Sequence, residues 1–357
     1  MSQRCNRDAA VAIVEKIRGD ILTGKFPANR YLPTTRELAS DYGASPETVR
    51  RGLKRLEGEG LLVSIPRHGF RVVRRAEDGT ATGPVAYITE YGEDWAGAQP
   101  ANWAILDALH HAAAARGHAV LSTPCGGRDI ESVIERLRAG RASGIVLDTL
   151  NPLLVEAIRR SGLPLVMVNS WIEDSDLDVV LQDNYRGGFL AARFLLAAGC
   201  RRVAWLGPKG RFCHTRERFG GAVAALAAEG LRIVEPPAED GAYDAAFASA
   251  MNLMKAPDRP DGILAFTSAC MAAVRDAAAR LGLRLGTDVK AVGWIVEEFY
   301  SREHASLFGE GDAPPAVVWK ASSMAEQALD LLSRRREGRG GEPVRVCVPT
   351  RLRFAGK

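Results

Sequence analysis

The chain has 357 residues, of which 46% are hydrophobic and 25% charged, and its net charge is +4. This length predicts two or three domains rather than one small core, and the composition is typical of a soluble globular protein. The cysteines, at positions 5, 125, 200, 213, 270 and 347, form no C-x-x-C pair, which argues against a zinc site or a disulfide framework and indicates a reduced, intracellular protein.

Charge is distributed unevenly along the chain. Residues 1–75 hold fifteen Lys and Arg against eight Asp and Glu, a net +7, so the remaining 32 and 35 leave −3. A basic head on a mildly acidic body indicates that the head binds a polyanion. The charged N-terminus does not fit a signal peptide, and no stretch approaches about 18 apolar residues. We therefore expect a cytoplasmic protein that contacts no membrane.

The head is predicted to contain three helices. Apolar side chains recur at helical spacing between residues 8 and 24, and a short helix follows in "TTRELASDYG". Gly43 ends that helix, and Ser45 as N-cap with Pro46 in the first turn begins the third. Two short helices around a glycine-containing turn are typical of a helix-turn-helix.

The third helix has two opposed faces at 100° per residue. The apolar face carries Val49, Leu53 and Leu56. The charged face carries Glu47, Arg50, Arg51 and Lys54. After this helix, "LLVSIPRHGFRVV" predicts two short strands around a turn at 66–69, where Gly69 permits the reversal. Helices plus a basic-tipped hairpin predict a winged helix, whose third helix enters the DNA major groove.

The segment from "IRGDILTGKF" to "HGFRV" resembles the DNA-binding domain of the GntR family of bacterial transcription regulators. The shared motifs are L-P-x-x-R-E-L-A, S-x-x-T-V-R, L-x-x-x-G-L and a glycine at the wing tip. Many members carry arginine or lysine at Pro46 and a small polar residue at Glu47, so Glu47 could instead accept from a cytosine amino group. From the residues and the resemblance together, the predicted DNA-binding residues are Arg36, Ser45, Glu47, Thr48, Arg50, Arg51, Lys54, Arg67, His68 and Gly69.

Simpler interpretations of these residues stay open. Arg36 could only pair with a neighbouring acid, Arg51 and Lys54 could only be solvated, and His68 could only be an exposed residue at the hairpin tip.

The body begins after a polar, glycine-containing linker, residues 76–83. Short β runs alternate there with alanine-rich helical stretches. The predicted strands are 85–89, 119–123, 144–148, 164–168, 202–207, 262–266 and 289–294. The predicted helices are 102–116, 128–140, 151–161, 185–198, 216–229, 244–255, 269–281 and 320–336. This alternation predicts parallel doubly wound sheets in two α/β lobes, with ligands at the carboxyl ends of the strands.

No catalytic pattern stands out in the body. "GPKG" at 207–210 lacks the spacing of a P-loop, and no G-x-S-x-G motif occurs. His110 and His111 lack metal-ligand spacing and are predicted to lie at the surface. The "RRR" at 334–336 is predicted to be a solvated helix end. We therefore expect no enzymatic activity, no catalytic residue, no metal and no cofactor.

The body resembles the effector-binding domain of the LacI/GalR regulators, which is similar to periplasmic sugar-binding proteins. The resemblance rests on "VVLQDNYRGGFLAARFLLAAGCRRVAWLGP", "RERFGGAVAALAAEGL", residues 262–294 and the terminal "VPTRL". It implies a sugar-like effector and assigns the family's arginine to Arg218. The family's Asn-Asp pair is Ser268-Ala269 here, and a later aspartate is Ile295, so two polar positions are replaced.

Residues predicted at the strand ends are the candidates for effector binding. They are Tyr91, Asn102, Trp103, Thr149, Asn169, Asp183, Arg218, Ser268 and Trp294. An aromatic ring at such a position stacks on a sugar face or on a flat ligand. Alternatives stay open for three of these residues: Trp103 as a core residue, Asp183 as a helix cap, and Arg218 as a member of an ion pair.

The sequence therefore predicts a winged helix-turn-helix at 1–75, a linker at 76–83 and a two-lobed, periplasmic-binding-protein-like α/β domain at 84–357. The predicted function is a homodimeric transcription regulator whose affinity for double-stranded operator DNA changes when a sugar-like effector binds between the lobes. The alternatives are a DNA-binding head fused to an enzyme and a regulator that responds to no small molecule.

Overall fold

The computed structural model describes most of the head and body. The described residues are 13–14, 16–18, 20–21, 25–26, 30–58, 61–65, 69–72, 83–90, 100–125, 130–173, 175–208, 213–235, 242–308, 312–337 and 341–355. Apart from Gly83, the predicted linker lies outside them. The described positions between 13 and 21 are helical, as predicted for the first helix of the head.

The helix-turn-helix is present as predicted. Its helices are α1 (Thr35–Asp41) and α2 (Pro46–Gly58). Thr34 caps α1, because its hydroxyl accepts from the Glu37 N–H while the Glu37 carboxylate accepts from the Thr34 N–H. Gly43 in the connecting turn has a φ of +63°, a conformation that favours glycine. The Ser45 hydroxyl accepts from the Thr48 N–H at 3.1 Å, which confirms the predicted start of α2.

The wing is an antiparallel hairpin. Its strands are β1 (Leu62–Ile65) and β2 (Gly69–Val72), and Leu62 pairs with Val72. Gly69 opens β2 with a φ of +87°, as the predicted turn requires. The apolar face of α2 packs into the core of the head, where each of the following residues is almost fully buried. They are Ile17, Leu38, Val49, Leu53 and Leu56.

The body contains two sheets flanked by helices. The strands are β3 (Val85–Thr89), β4 (Val120–Pro124), β5 (Gly144–Asp148), β6 (Leu165–Val168), β7 (Asp178–Gln182), β8 (Val203–Leu206), β9 (Gly262–Ala265), β10 (Lys290–Val296), β11 (Ala316–Trp319), β12 (Arg345–Val348) and β13 (Arg351–Arg353). The six-stranded sheet has the order β12-β7-β6-β5-β3-β4, and the five-stranded sheet has the order β13-β11-β10-β9-β8. The described pairings are parallel except for β11 with β13, so the doubly wound architecture is confirmed.

The eight helices predicted in the body are present within a few residues of their expected bounds. They are α3 (Pro100–Ala115), α4 (Ile130–Ala139), α5 (Pro152–Arg159), α6 (Asn184–Ala197), α7 (Cys213–Ala227), α8 (Tyr243–Lys255), α9 (Ser268–Arg280) and α10 (Ala321–Arg336). The structure adds what the sequence did not predict: strands β7, β11, β12 and β13, and short 3₁₀ and π turns between Glu297 and Leu307.

The chain forms two compact units. The first comprises Met1–Gly97, Leu106–Val146 and Glu156–Pro164, and it contains the head together with β3, β4 and α4. The second comprises Ala98–Ile105, Leu147–Val155 and Leu165–Lys357, and it contains the whole five-stranded sheet with β6, β7 and β12. Within the described ranges, the helices are too short or too polar to cross a bilayer.

An ion pair between a partly exposed arginine and a buried aspartate joins the end of α10 to the start of β7. Arg335 donates from Nε and Nη2 to the two carboxylate oxygens of Asp178, each at 2.6 Å, and the Val344 N–H donates to the same carboxylate at 2.8 Å. Burial alone would raise the pKa of Asp178, but the hydrogen bonds from Arg335 and Val344 and the charge of Arg335 lower it. The prediction that 334–336 is merely solvated is therefore wrong for Arg335.

We expect Asp178→Asn to lower the free energy of unfolding by about 3 kcal/mol, because it removes the buried member of a bidentate pair. Thermal unfolding at neutral pH measures this loss. The lowered pKa of Asp178 means that its contribution is present above the unfolded-state value near 3.8 and disappears as the pH falls through the folded-state value. The matched control is Asp258→Asn, which breaks an exposed pair with Arg202 and should change stability by less than about 0.5 kcal/mol. Equal losses in the two variants would contradict this prediction.

Candidate functional site

The charged face of α2 is exposed and internally paired. Arg50 Nη2 lies 3.0 Å from a Glu47 carboxylate oxygen, and Arg51 Nε lies 3.8 Å from the other. Lys54 pairs with Glu57 at 3.1 Å. Exposed pairs of this kind stabilise a protein by less than about 1 kcal/mol, so these cations can exchange their partners for DNA phosphates at little cost.

The other DNA-binding candidates are partly engaged within the head. Thr48 is buried, and its hydroxyl lies 2.7 Å from that of Ser45, so each occupies the other in this structure. Arg36 on α1 and Gly69 at the start of β2 are exposed. Arg67 and His68 lie outside the described residues.

A buried carboxylate organises the carboxyl ends of the six-stranded sheet. Asp148 is the last residue of β5 and is 7% exposed. Asn102 donates to its Oδ2 at 2.8 Å, Asn169 donates to the same oxygen at 3.1 Å, and the Ser170 hydroxyl donates to Oδ1 at 3.1 Å. These donors come from α3 and from the turn after β6, so the carboxylate connects two chain segments.

The turn after β6 is itself unusual. Asn169 has a φ of +64°, which is uncommon for a residue other than glycine and which asparagine tolerates best. Gln182, at the end of β7, donates to Asn169 Oδ1 at 2.7 Å and thereby supports this conformation. The other polar side-chain atom of Gln182, Oε1, is buried and accepts no hydrogen bond from the residues that the structure describes.

A buried cation lies at the N-terminal part of α7. Arg218 is 7% exposed, and its guanidinium is 3.8 Å from the Trp294 ring centroid and 4.7 Å from that of Phe266. Its Nε donates to Asn184 Oδ1 at 2.8 Å, and its Nη1 donates to the Phe266 carbonyl at 3.3 Å. Burial lowers the pKa of Arg218 to about 9, so it is still protonated at neutral pH.

The position of Trp294 depends on a glycine. A Cβ at Gly187 would lie 2.4 Å from the edge of the Trp294 ring, so only glycine leaves room for the ring beside Arg218. Arg218 lies over the Trp294 ring in the structure, and the stacking of Trp294 on a ligand stays a prediction. Its indole N–H is buried and donates to no acceptor among the described residues.

The carboxylate and the cation contact neighbouring residues at the end of β7 and the start of α6. Gln182 contacts the Asp148 network through Asn169, and Asn184 accepts the hydrogen bond from Arg218. The second compact unit therefore contains an acidic group and a basic group whose hydrogen-bond partners are two residues apart in the sequence.

Two of the remaining candidates, Thr149 and Asp183, make local structural hydrogen bonds. The Thr149 hydroxyl accepts from the Asn151 N–H at 3.0 Å, and the Asp183 side chain caps α6 by accepting from the Arg186 N–H at 3.1 Å. Trp103 and Ser268 are half-buried on α3 and α9. Tyr91 lies outside the described residues.

The sequence-based candidates omitted several members of this network. The omitted residues are Asp148, Ser170, Gln182 and Asn184. A usable signal existed for two of them, because Asp148 and Gln182 are polar residues that end otherwise apolar strands, where parallel sheets bind ligands.

The histidine pair on α3 differs from its prediction. His110 is 4% exposed, so the surface assignment is wrong for this residue, although His111 is exposed. Burial, followed by the charge of Arg71, lowers the pKa of His110 to about 3, which keeps it neutral. Within the part of the chain that the structure describes, the acidic, histidine and cysteine side chains form no cluster of three suited to a metal ion.

Comparison with protein families gives two matches. Residues 9–72 match the bacterial regulatory proteins of the gntR family. Residues 99–302, more than half of the chain, match the periplasmic binding proteins and sugar binding domain of the LacI family.

Individual relatives are transcription regulators by name. The arabinose metabolism transcriptional repressor of Geobacillus stearothermophilus is 26% identical over 201 residues, 53% of this chain and 54% of that protein. The repressor PurR of Mannheimia succiniciproducens is 24% identical over 49% of this chain and 51% of its own length. This chain thus spans about half the length of both relatives. The regulator CelR of Thermobifida fusca is 28% identical over 87% of this chain and 88% of its own.

Solved structures share the fold. A CelR–cellobiose complex superposes with a TM-score of 0.65 at 22% identity, covering 91% of this chain and 99% of that one. A dimeric Lac repressor with a shortened C-terminus has a TM-score of 0.64 at 16% identity, covering 76% of this chain and 97% of that one.

Helices α6 and α7 pack so closely that glycine is required at their contact, and this packing positions Arg218. A Cβ at Gly221 would lie 2.0 Å from the Tyr185 carbonyl oxygen. We expect Gly221→Ala to destabilise the protein by about 2–3 kcal/mol, because a backbone atom cannot move aside as a flexible side chain can. At the adjacent Gly220, apart from its chain neighbours and its own helix backbone, no atom of the described residues lies within 4 Å of the Cβ position, so Gly220→Ala should be neutral or stabilise by up to about 1 kcal/mol. Chemical denaturation of both variants measures the difference, and equal stabilities would contradict it.

Proposed function

The chain belongs to the LacI family of periplasmic binding proteins and sugar-binding domains and has a GntR-family head, and on that premise we propose that it regulates transcription under the control of a small effector. In this proposal the head binds operator DNA and the body binds a hydroxylated, sugar-like molecule. The relatives named above are transcriptional regulators or repressors, which supports a role outside catalysis.

Binding of DNA by the head is supported by the exposed cations of α2. Arg50, Arg51 and Lys54 share one face, while the buried Val49 and Leu53 hold the opposite face on the head. A helix that is anchored in this way presents its polar side chains to the major groove. Two heads are needed for tight and specific binding, because one makes few phosphate contacts, so we propose that the regulator acts as a homodimer.

The observation that carries the effector proposal is the state of two buried polar groups at the candidate site. The Trp294 indole N–H is a donor and Gln182 Oε1 is an acceptor, and neither has a hydrogen-bond partner among the described residues. Buried polar groups are nearly always satisfied in folded proteins, so each is a candidate for a hydrogen bond to a ligand. A hydroxyl group provides both an acceptor and a donor.

Arg218 narrows the chemistry of this ligand. Its acceptors among the described residues, Asn184 and the Phe266 carbonyl, are neutral oxygens, so its charge has no hydrogen-bonded carboxylate there. This chain has Ser268-Ala269 and Ile295 in place of the family's Asn-Asp pair and later aspartate. These residues offer fewer acceptors for hydroxyl groups. We therefore propose a ligand with fewer hydroxyls than a hexose, such as a methylpentose, or one with an acidic group that pairs with Arg218.

We expect Arg50→Ala to weaken binding to the operator by at least one order of magnitude, because a lost groove contact costs about 1–3 kcal/mol in each head. The operator is obtained by selecting duplexes from a randomised library with the wild-type protein, and gel-shift titration gives Kd. The matched control is Arg160→Ala, since Arg160 is an exposed arginine of the body that pairs with Glu156. Unchanged affinity in Arg50→Ala would remove α2 from the DNA interface.

Thermal unfolding in the presence of candidate compounds tests the effector site. The panel contains glucose, cellobiose, arabinose, methylpentoses and small carboxylates. We expect a methylpentose or a carboxylate to stabilise the wild type by about 2.7 kcal/mol at 100-fold its Kd, and to change operator affinity. Arg218→Met should abolish this stabilisation, whereas Arg202→Met, which removes an exposed arginine, should retain it. Strong stabilisation by glucose that persists in Arg218→Met would show that the effector site is elsewhere.

A further inference from the structure

Arg71 in the wing is buried against helix α3 of the body. Its side chain is 3% exposed, and its Nη1 lies 3.3 Å from a carboxylate oxygen of Asp107 and 3.0 Å from Nε2 of His111. The wing holds this residue from the other side, because Arg71 pairs with Val63 in β1 and bridges to Tyr31. The wing hairpin and α3 therefore share one buried guanidinium.

The partners of Arg71 are oriented by one another. His111 Nδ1 lies 2.8 Å from the Asp107 carbonyl oxygen, and Arg71 Nη1 lies within 3.3 Å of both ring nitrogens of His111. Burial would raise the pKa of Asp107, but the hydrogen bond from His111 and the charge of Arg71 lower it, which keeps Asp107 ionised. Asp107 is thus the carboxylate that balances the charge of Arg71.

The same helix reaches the proposed effector site at its other end. Asn102, in the first turn of α3, donates to the buried carboxylate of Asp148 at 2.8 Å. Asp107 lies five positions after Asn102, which corresponds to about 7.5 Å along a helix axis. A continuous helix is stiff over this length, so a displacement at Asn102 moves Asp107 as well.

We propose that α3 transmits the state of the effector site to the DNA-binding wing, with the Arg71–Asp107–His111 cluster as the contact through which it acts. The proposal rests on the function proposed above. A ligand hydroxyl that bonds to Asp148 competes with Asn102 for the same carboxylate, and α3 then shifts relative to β5. Asp107 and His111 move with the helix. Arg71 moves with them, because a buried guanidinium that loses its carboxylate partner destabilises the protein. The wing consequently changes its position on DNA.

A double-mutant cycle on operator affinity tests this coupling without requiring the natural effector. Asn102→Ala removes the bond to Asp148, and Asp107→Asn removes the charge opposite Arg71 without changing the head. We expect Asn102→Ala to change the Kd for the selected operator duplex by about fivefold or more in the wild-type background. In the Asp107→Asn background the same substitution should change this Kd by less than about twofold. The effects of the two substitutions would then not be additive, which is the mark of coupled sites.

A matched cycle replaces Asp107→Asn with Glu156→Gln, which breaks an exposed pair with Arg160 on α5. Asn102→Ala should keep its full effect there, whereas a general loss of stability would reduce the effect in both cycles. If Asn102→Ala does not fold, as judged by circular dichroism, Asn102→Ser takes its place. Equal effects in the wild-type and Asp107→Asn backgrounds, or no effect of the Asn102 variant, would overturn the coupling alone. Failure of the wild-type protein to select any duplex would overturn the proposed function together with it.

Discussion

The buried carboxyl group of Asp148 is satisfied inside the protein, and much of the candidate site follows from how this is done. A polar group removed from water costs free energy unless hydrogen bonds replace its hydration. The replacement comes from Asn102 on one segment of the chain and from Asn169 and Ser170 on another. One carboxylate therefore fixes the first turn of α3 and the turn after β6. A ligand that bonds to this carboxylate acts on both segments at once.

Arg218 presents the opposite case, a buried cation compensated by rings and neutral oxygens. Its charge rests between Trp294 and Phe266, and this arrangement depends on glycine at 187, where a larger residue would meet the Trp294 ring. Cation–π contacts are weaker than a bidentate ion pair, so the guanidinium retains an attraction for an acceptor that a ligand can supply. The Asp148 carboxylate accepts three side-chain hydrogen bonds, whereas Arg218 has no hydrogen-bonded carboxylate among the described residues, and this difference supports the proposal of a ligand with an acceptor for Arg218.

Local sequence signals predicted the helices and most of the strands, because caps, glycines and periodicity lie within a few residues of each other. Ser45, Gly43 and the stripe of Val49 and Leu53 were enough to place α2. Strands β12 and β13 were not predicted, since they are short and largely exposed, and their pairing partners lie far away in the sequence. Arg335 was assigned to solvent for the same reason. The partner of Arg335 is 157 residues away, so no local pattern reports it.

The head and the body meet opposite physical requirements. On α2 the cations are exposed and weakly paired with Glu47 and Glu57, so they can exchange protein carboxylates for phosphates with little change in free energy. Around Asp148 the polar groups are buried, and each must keep a partner, so only a ligand with matching groups can change their bonding. The affinity of such a head for DNA depends chiefly on how the rest of the protein positions it. In the coupling that we propose, the buried site controls DNA binding through the position of the wing, and Arg71 is suited to this role because it is a wing residue whose charge is balanced by Asp107 of α3.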